Sequence, residues 1–526
     1  MTKVYQVWVP LVLVGIVLFF LFYGSFGGKG ERESDAIRVG LETLPMRLDP
    51  RFATDAASSR INRLLYQRLV DFDESSRFVP GIADWEVISP VHYRFSLHDT
   101  AQFFHDGQLL TAEDVVATYR SVLDADTGSP HRHSISMIGR VEAVNQRQID
   151  FFLTRPDPLF PGYLVLGIVP AKLLMQQHDF AENPMGSGPF RFLSRRAQER
   201  LMLERRVDGQ KIEFLRVPSP EVRVLKLASG EIDLLQNDLQ PELEAWLSKQ
   251  PDIQTLRREG TAFAYLGFNL EDSLMSNIEV RQAIAYALDR ETIIRSIFAG
   301  AARPAVSLFP AEHWAAAADI EPVPYCPECA RALLAKQGYG ADNPLRLSWK
   351  TSTNPFRLRL ATLMQRQLSE VGIEVSLQSY DWGTFYGDIR EGRFQMFSLM
   401  WVGIKSPDIF EYIFHSRSIP PGGANRGRYR SEKVDSLIDN IAKADTLEER
   451  IRGYQEIQRQ VAKDLPYVPL WHENHFAAWN GGVEGYQLAP DGNYDALVAI
   501  RRVANSDANS DANSDEESQS RGEIGE

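Results

Sequence analysis

Residues 345–377 read LRLSWKTSTNPFRLRLATLMQRQLSEVGIEVSL. Leu345, Leu347 and Trp349 alternate with polar neighbours, the period of a half-buried strand. Leu360, Leu363, Met364, Leu368 and Val371 then recur at helical spacing, and Gly372 stops the run. Ile373, Val375 and Leu377 alternate again. Strand, helix and strand joined by short links form a βαβ unit, so the two strands are parallel and the chain belongs to the α/β class.

Working outward, AIRVGLETL (36–44) reads as a strand, and Ile61, Leu64, Leu65 and Leu69 mark a helix over 58–70. Tyr93, Phe95 and Leu97 mark another half-buried strand. Three helix starts carry the pattern of a capping box: Thr111 with Asp114, Ser276 with Glu279, and Thr446 with Glu449. At 526 residues the chain exceeds what a single ordinary core supports, so two or three lobes are expected.

The two ends differ from this body. Residues 4–23 are apolar except for Gln6 and Pro10, long enough to cross a bilayer core of about 30 Å. Lys3 on the short flank keeps the N-terminus cytoplasmic and sends the rest outside. The run is long for a cleaved signal peptide and its small-residue site near Ser25 and Gly27 is poor, so a retained anchor over 4–24 is the expectation. Residues 1–3 are then cytoplasmic and 25–35 a polar linker. From Asn505 to Glu526 there are seven acids and one arginine, so this tail carries −6 of the net −13. Such a segment reads as disordered. The remainder is mildly acidic and has no basic stripe, which argues against nucleic acid as a partner.

Chemistry is sparse. There is no GxSxG elbow and no phosphate-binding loop, so a hydrolase or an ATPase lacks its signature. His472 and His475 are three apart, whereas a zinc-binding HExxH pair is four apart on a helix. His131 and His133 have no third ligand in view. Cys326 and Cys329 form one CxxC, short of the four ligands of a structural zinc site, and read either as a local disulfide or as a plain helix start. No metal or cofactor is implied.

Several blocks in order nevertheless carry a resemblance: GIADWEVISPVHYRFSLHDTAQFFHDGQLLTAEDV (81–115), GSGPFRF (186–192), LASGEIDLL (227–235), LGFNL (266–270), VRQAIAYALDRETII (280–294) and YCPECARALLAKQGY (325–339). From about Ile37 to Val503 the chain resembles the family 5 extracellular solute-binding proteins, the dipeptide, oligopeptide and nickel receptors of ABC importers. The resemblance implies a hinged, three-lobed periplasmic-binding-protein fold of type II. Lobe I would take 36–49, 169–262 and 479–503, lobe II 50–168, and lobe III 263–478, with the hinge near Tyr265 to Asn269. It also implies a substrate-binding role beside permease subunits and separate ATPase subunits, with a peptide or similar small molecule as ligand. A membrane-anchored sensor of the same fold is the alternative, and a hydrolytic enzyme the alternative of another class.

The implied pocket lies between lobes I and III. Trp401, Gly403 and Asn425 keep its pattern, but peptide receptors of the family carry an aspartate where this chain has Ile404, followed by Lys405. A buried ammonium without a counter-charge is costly. Glu473 is therefore a candidate replacement acid, or else Lys405 and Arg428 meet an anionic ligand. Trp382, Trp401 and Trp471 are candidate cleft walls, although a buried tryptophan is more often core.

Overall fold

The computed structural model describes residues 36–444 and 446–503. The anchor, the linker and the acidic tail lie outside the described residues; among the described residues no helix is long and apolar enough to cross a membrane.

The βαβ unit forms as its pattern dictates. Leu345–Ser352 and Ile373–Tyr380 pair in parallel, Leu345 opposite Ile373, with helix Pro355–Ser369 between them. The Asn354 side chain caps that helix by accepting from the amides of Phe356 and Arg357. These strands form one edge of an eleven-stranded sheet. From that edge the order continues through Met396–Trp401, Ile253–Phe268, Tyr467–Asn480, Leu234–Gln236, Ile37–Leu41, Lys211–Arg216, Arg200–Arg205 and Phe190–Arg196.

Two long antiparallel strands, Ile253–Phe268 and Tyr467–Asn480, belong to both large lobes. Their first and last residues respectively pack in lobe I: Ile253, Phe476 and Ala478 share one apolar cluster with Val224 and Leu247. Phe263 and Tyr265 instead join the lobe III core with Phe397 and Phe410. The ladder breaks between Arg258 and Ala262, where Gly260 lies so close to the Glu473 carbonyl that a Cβ would sit 2.3 Å from it. This irregularity marks the passage between lobes. It falls upstream of Tyr265–Asn269, because Leu266 and Phe268 are wholly buried inside lobe III. Phe476, Ala477 and Ala478 already pack with residues of 169–262.

Lobe II has its own antiparallel sheet: Ala83–Ser89, His92–Leu97, Gln148–Leu153 and Ile138–Ala143, in that order. Tyr93, Phe95 and Leu97 point into its core, and helix Ala112–Leu123 covers it behind the Thr111–Asp114 capping box. The helix expected over 58–70 instead spans Ala56–Leu65. Its end is closed by the GSGPF segment: the Gly188 amide donates to the Leu65 carbonyl, and a Cβ on Gly186 would lie 2.0 Å from that oxygen. Ile61, Leu64 and Leu65 consequently pack in lobe I with Phe190, and lobe II's own core begins at Leu69 rather than near Pro50. The Ser276 start is also displaced by one residue. Asn277 is the cap, its side chain accepting from the Glu279 amide. Thr446 caps helix Leu447–Asp464 as its pattern predicts.

Candidate functional site

Ion pairs join the segments expected as lobes I and III. On the lobe III side, Arg357 in the first turn of its helix grips Glu473 with both guanidinium nitrogens, Nη2 to Oε2 at 3.1 Å. Trp471 Nε1 donates to the same carboxylate at 3.3 Å. Burial pushes the Glu473 carboxyl up, but Arg357 overrides it and holds the group below its ordinary value. Glu473 therefore already has its counter-ion. Trp471 is core, packed 5.1 Å from Phe298, and serves the cleft only by orienting Glu473.

Lys405 is engaged too. Its Nζ reaches across the cleft to Asp491 of lobe I at 2.5 Å and lies over the Phe72 ring of lobe II. Burial raises Asp491, yet Lys405 keeps it ionised below its ordinary value. A second bridge, Arg359 to Glu242 at 2.6 Å, joins the same two lobes. Gly403 and Lys405, with Val402 and Ser406, form one wall of a cavity of about 580 Å3. Tyr66, Phe72, Tyr119, Ile135 and Tyr163 supply apolar walls, and Arg60 lines it as well. Ile404 turns away to pack on the lobe III core.

Trp401 and Trp382 belong to one stack. The Arg426 guanidinium lies 4.5 Å from the Trp401 ring, Arg426 donates to the Tyr386 hydroxyl, and the exposed Trp382 stacks on Tyr386. Trp401 ends its strand opposite Phe263, the end nearest the lobe passage. The two remaining expected residues lie elsewhere. Asn425 is buried, donating to the carbonyls of Phe414, His415 and Tyr429 and accepting from the Tyr429 amide, which leaves it nothing for a ligand. Arg428 sits against Glu271 and the Arg390 carbonyl, beside Leu270 and Gly392. That is the opposite end of the sheet strand from Trp401, so the anionic pairing expected of Arg428 has no route to the cleft.

His472 and His475 lie on a strand, and burial drops each to about 4, so both are neutral imidazoles. Among the described residues neither belongs to a metal-ligating cluster. Cys326 and Cys329 are joined as a disulfide at the start of helix Pro327–Lys336, which makes them unavailable as thiolates.

Two cleft residues had no signal of their own. Asp238, in the loop after Leu234–Gln236, feels the charges of Arg60, Arg223, Arg357 and Glu473. Asn237 and Asp238 both hold left-handed backbone angles, φ +58° and +56°. Such angles cost a non-glycine residue about 1 kcal/mol or more each and persist only where contacts enforce them. Here they are enforced: the Asn237 amide donates to the Phe476 carbonyl, the Phe476 amide returns a bond to Asn237 Oδ1, and Arg223 holds the Asp238 carbonyl. Asp238 stays open to water, yet the protein on both sides of the cleft desolvates its carboxylate and raises its pKa against the opposing pull of Arg60. Glu42, nearby on lobe I, is raised in the same way.

Residues 77–419, more than half of the chain, match the bacterial extracellular solute-binding proteins, family 5, middle region. The chain belongs to this family. This solute-binding protein is 29% identical over 479 residues to the probable di/tripeptide-binding protein 5 of Pseudomonas aeruginosa, covering 84% of this chain and 90% of that one. Among solved structures it is similar to the DppA periplasmic binding protein of Helicobacter pylori in complex with the peptide STSA (25% identity, TM-score 0.74, covering 89% and 98% of the two chains). The fold is shared with NikZ of Campylobacter jejuni in complex with Ni(L-His) (23% identity, TM-score 0.77, 89% and 99%). Membership makes the chain the substrate-binding component of an ABC-type importer, acting outside the cytoplasm.

Proposed function

We propose that this receptor captures a short peptide or peptide-like solute between lobes I and III and delivers it to permease subunits powered by separate ATPase subunits. The cavity of about 580 Å3 carries the reading: Val402 to Ser406 of lobe III and Asp491 and Asn493 of lobe I border it, and lobe II closes it with Phe72, Tyr119 and Tyr163. It is of the size of small-ligand sites generally, about 300–1,000 Å3, and has the mixed character such a ligand needs: apolar walls for side chains and a charged cleft beside them for a polar backbone. The Lys405–Asp491 and Arg359–Glu242 bridges span the lobes as contacts of a closed state would. The relative named for di- and tripeptides supports the ligand class. We further propose that residues 4–24 retain the protein at the cytoplasmic membrane, an N-terminus of Met1 or Thr2 in the intact mass being expected and one near Gly28 excluding it.

Calorimetric titration with free di-, tri- and tetrapeptides tests the ligand class. Saturable one-to-one binding by at least one of them is expected. If no peptide produces heat or raises the melting temperature, the reading is wrong.

A further inference from the structure

We propose that the Cys326–Cys329 disulfide is a thiol-exchange site that accepts two electrons from a dithiol of an extracytoplasmic partner. Nothing in this rests on what the cleft binds. The two sulfurs are bonded across the first turn of helix Pro327–Lys336, with Cys326 as its cap. They are the only cysteines in the chain, so exchange runs to a partner and not to another bond of the same molecule.

The ordinary reasons for a disulfide do little here. As a staple it closes a loop with a sequence separation of 3, and the constraint on the unfolded chain grows with the length of loop closed. As packing it adds little, since Ala330 and Leu334 are the buried residues of this helix. As a cap, Cys326 Sγ accepts from the Cys329 amide at 3.3 Å, a weak acceptor where a serine or aspartate oxygen serves better. The bond is also within reach of a partner: Cys326 is part-exposed, and Pro324, Tyr325 and Glu328 around it are exposed.

The position matters once the bond opens. A partner thiolate attacks Cys329 Sγ, forms a mixed disulfide with it and expels Cys326 as a thiolate. That charge stays on the sulfur to which the Cys329 amide already points, at the N-terminus of a ten-residue helix. Both favour an anion there and make Cys326 a good leaving group. The partner's second thiolate then attacks the partner's own sulfur in the mixed disulfide and releases Cys329. The partner leaves as a disulfide, and its two protons pass to Cys326 and Cys329. Glu328 works the other way. Its Oε1 lies 3.2 Å from Cys326 Sγ, so its charge opposes the thiolate and favours the closed bond.

The test uses the full chain in its oxidised form, with dithiothreitol as the small dithiol and thioredoxin as the dithiol protein. Freed thiols are trapped with iodoacetamide and counted by intact mass. Dithiothreitol is expected to reduce the folded protein about tenfold faster than the protein unfolded in urea, because only the folded helix stabilises the departing Cys326 thiolate. Glu328→Gln should raise the folded rate about threefold more and change the unfolded rate far less. Thioredoxin lacking its resolving cysteine should be captured as a mixed disulfide that maps to Cys329. If the folded protein is reduced more slowly than the unfolded one, the bond is a plain structural disulfide and the proposal falls. Capture at Cys326 alone would overturn the assignment of Cys326 as leaving group. The comparison of folded with unfolded wild type needs no variant, so it decides the matter even where Glu328→Gln fails to fold.

Discussion

Lobe III meets lobe II and lobe I through ion-rich surfaces, but the two contacts are built on opposite principles. Against lobe II, Arg450 pairs with Asp157 at 2.9 Å, both side chains at least 94% buried. Asp157 also accepts from the Leu159 amide. Beside them, Asp408 accepts from the hydroxyls of Tyr454, Ser406 and Tyr163. Both carboxylates of that cluster have partners, Arg450 leaving its Nε without one, and Leu159 of lobe II is buried in the lobe III core alongside it. Against lobe I, the bridges Lys405–Asp491 and Arg359–Glu242 are partly exposed, and the Asp238 carboxylate has no hydrogen bond or ion pair among the described residues. A satisfied ionic cluster fixes one lobe on another. An unsatisfied one, where the surrounding backbone is strained and clamped, is organised for something that arrives.

The largest effect that could break this contrast is at the lobe II contact. Burial lifts Asp157 to about 6 even with Arg450 beside it, above the ordinary value near 3.9 of an unfolded chain. The folded state thus holds this proton more tightly, so the group's contribution to stability is greatest below about pH 4 and is lost as pH rises through about 6. Arg450→Leu removes the compensation. At pH 8 it is expected to cost about 3–5 kcal/mol of unfolding free energy in urea, and markedly less at pH 5, where the orphaned carboxyl takes up a proton. An equal cost at both pH values would mean that Asp157 does not respond to its partner.

A smaller effect sharpens the other side. Lys405→Met breaks a partly exposed bridge between lobes and is expected to weaken peptide binding about fivefold, equally for free peptides and their amides. A selective loss toward the free carboxylate would make Lys405 a ligand contact instead. The smallest effect is expected far from both contacts. The helix begun by Cys326 packs on Ile278–Tyr286, with the Cys326 amide bonded to the Tyr286 carbonyl. Changing Cys326 to Asp and Cys329 to Lys together should leave affinity within about tenfold. A greater loss would couple that helix to the cleft.

The βαβ unit and the Thr111 and Thr446 helix starts were legible because each is local: a period, or a cap with its partner three residues on. Ser276 misled because Asn277 beside it caps better, and a shift of one residue leaves the apolar stripe unchanged. Asn425 illustrates a harder limit. A side-chain amide that lines a pocket and one that ties three carbonyls together have the same letter and the same flanking residues, and only the fold around Phe414 and Tyr429 separates them. That Glu473 is not a free acid was hidden because its partner Arg357 lies 116 residues away in sequence. Asp238 gave no signal at all. It sits in the short loop QNDLQP, without periodicity or motif, and becomes conspicuous only when Arg60 and Arg357 arrive from other parts of the chain.

The most direct measurement of the central claim is mass spectrometry of what the purified receptor releases on denaturation, after expression with export to its own compartment. The account predicts a peptide or peptide-like small molecule, or a family of them, released in up to one equivalent and rebinding to the emptied protein. A stoichiometric ligand with no peptide character, rebinding at the same cleft, would contradict it.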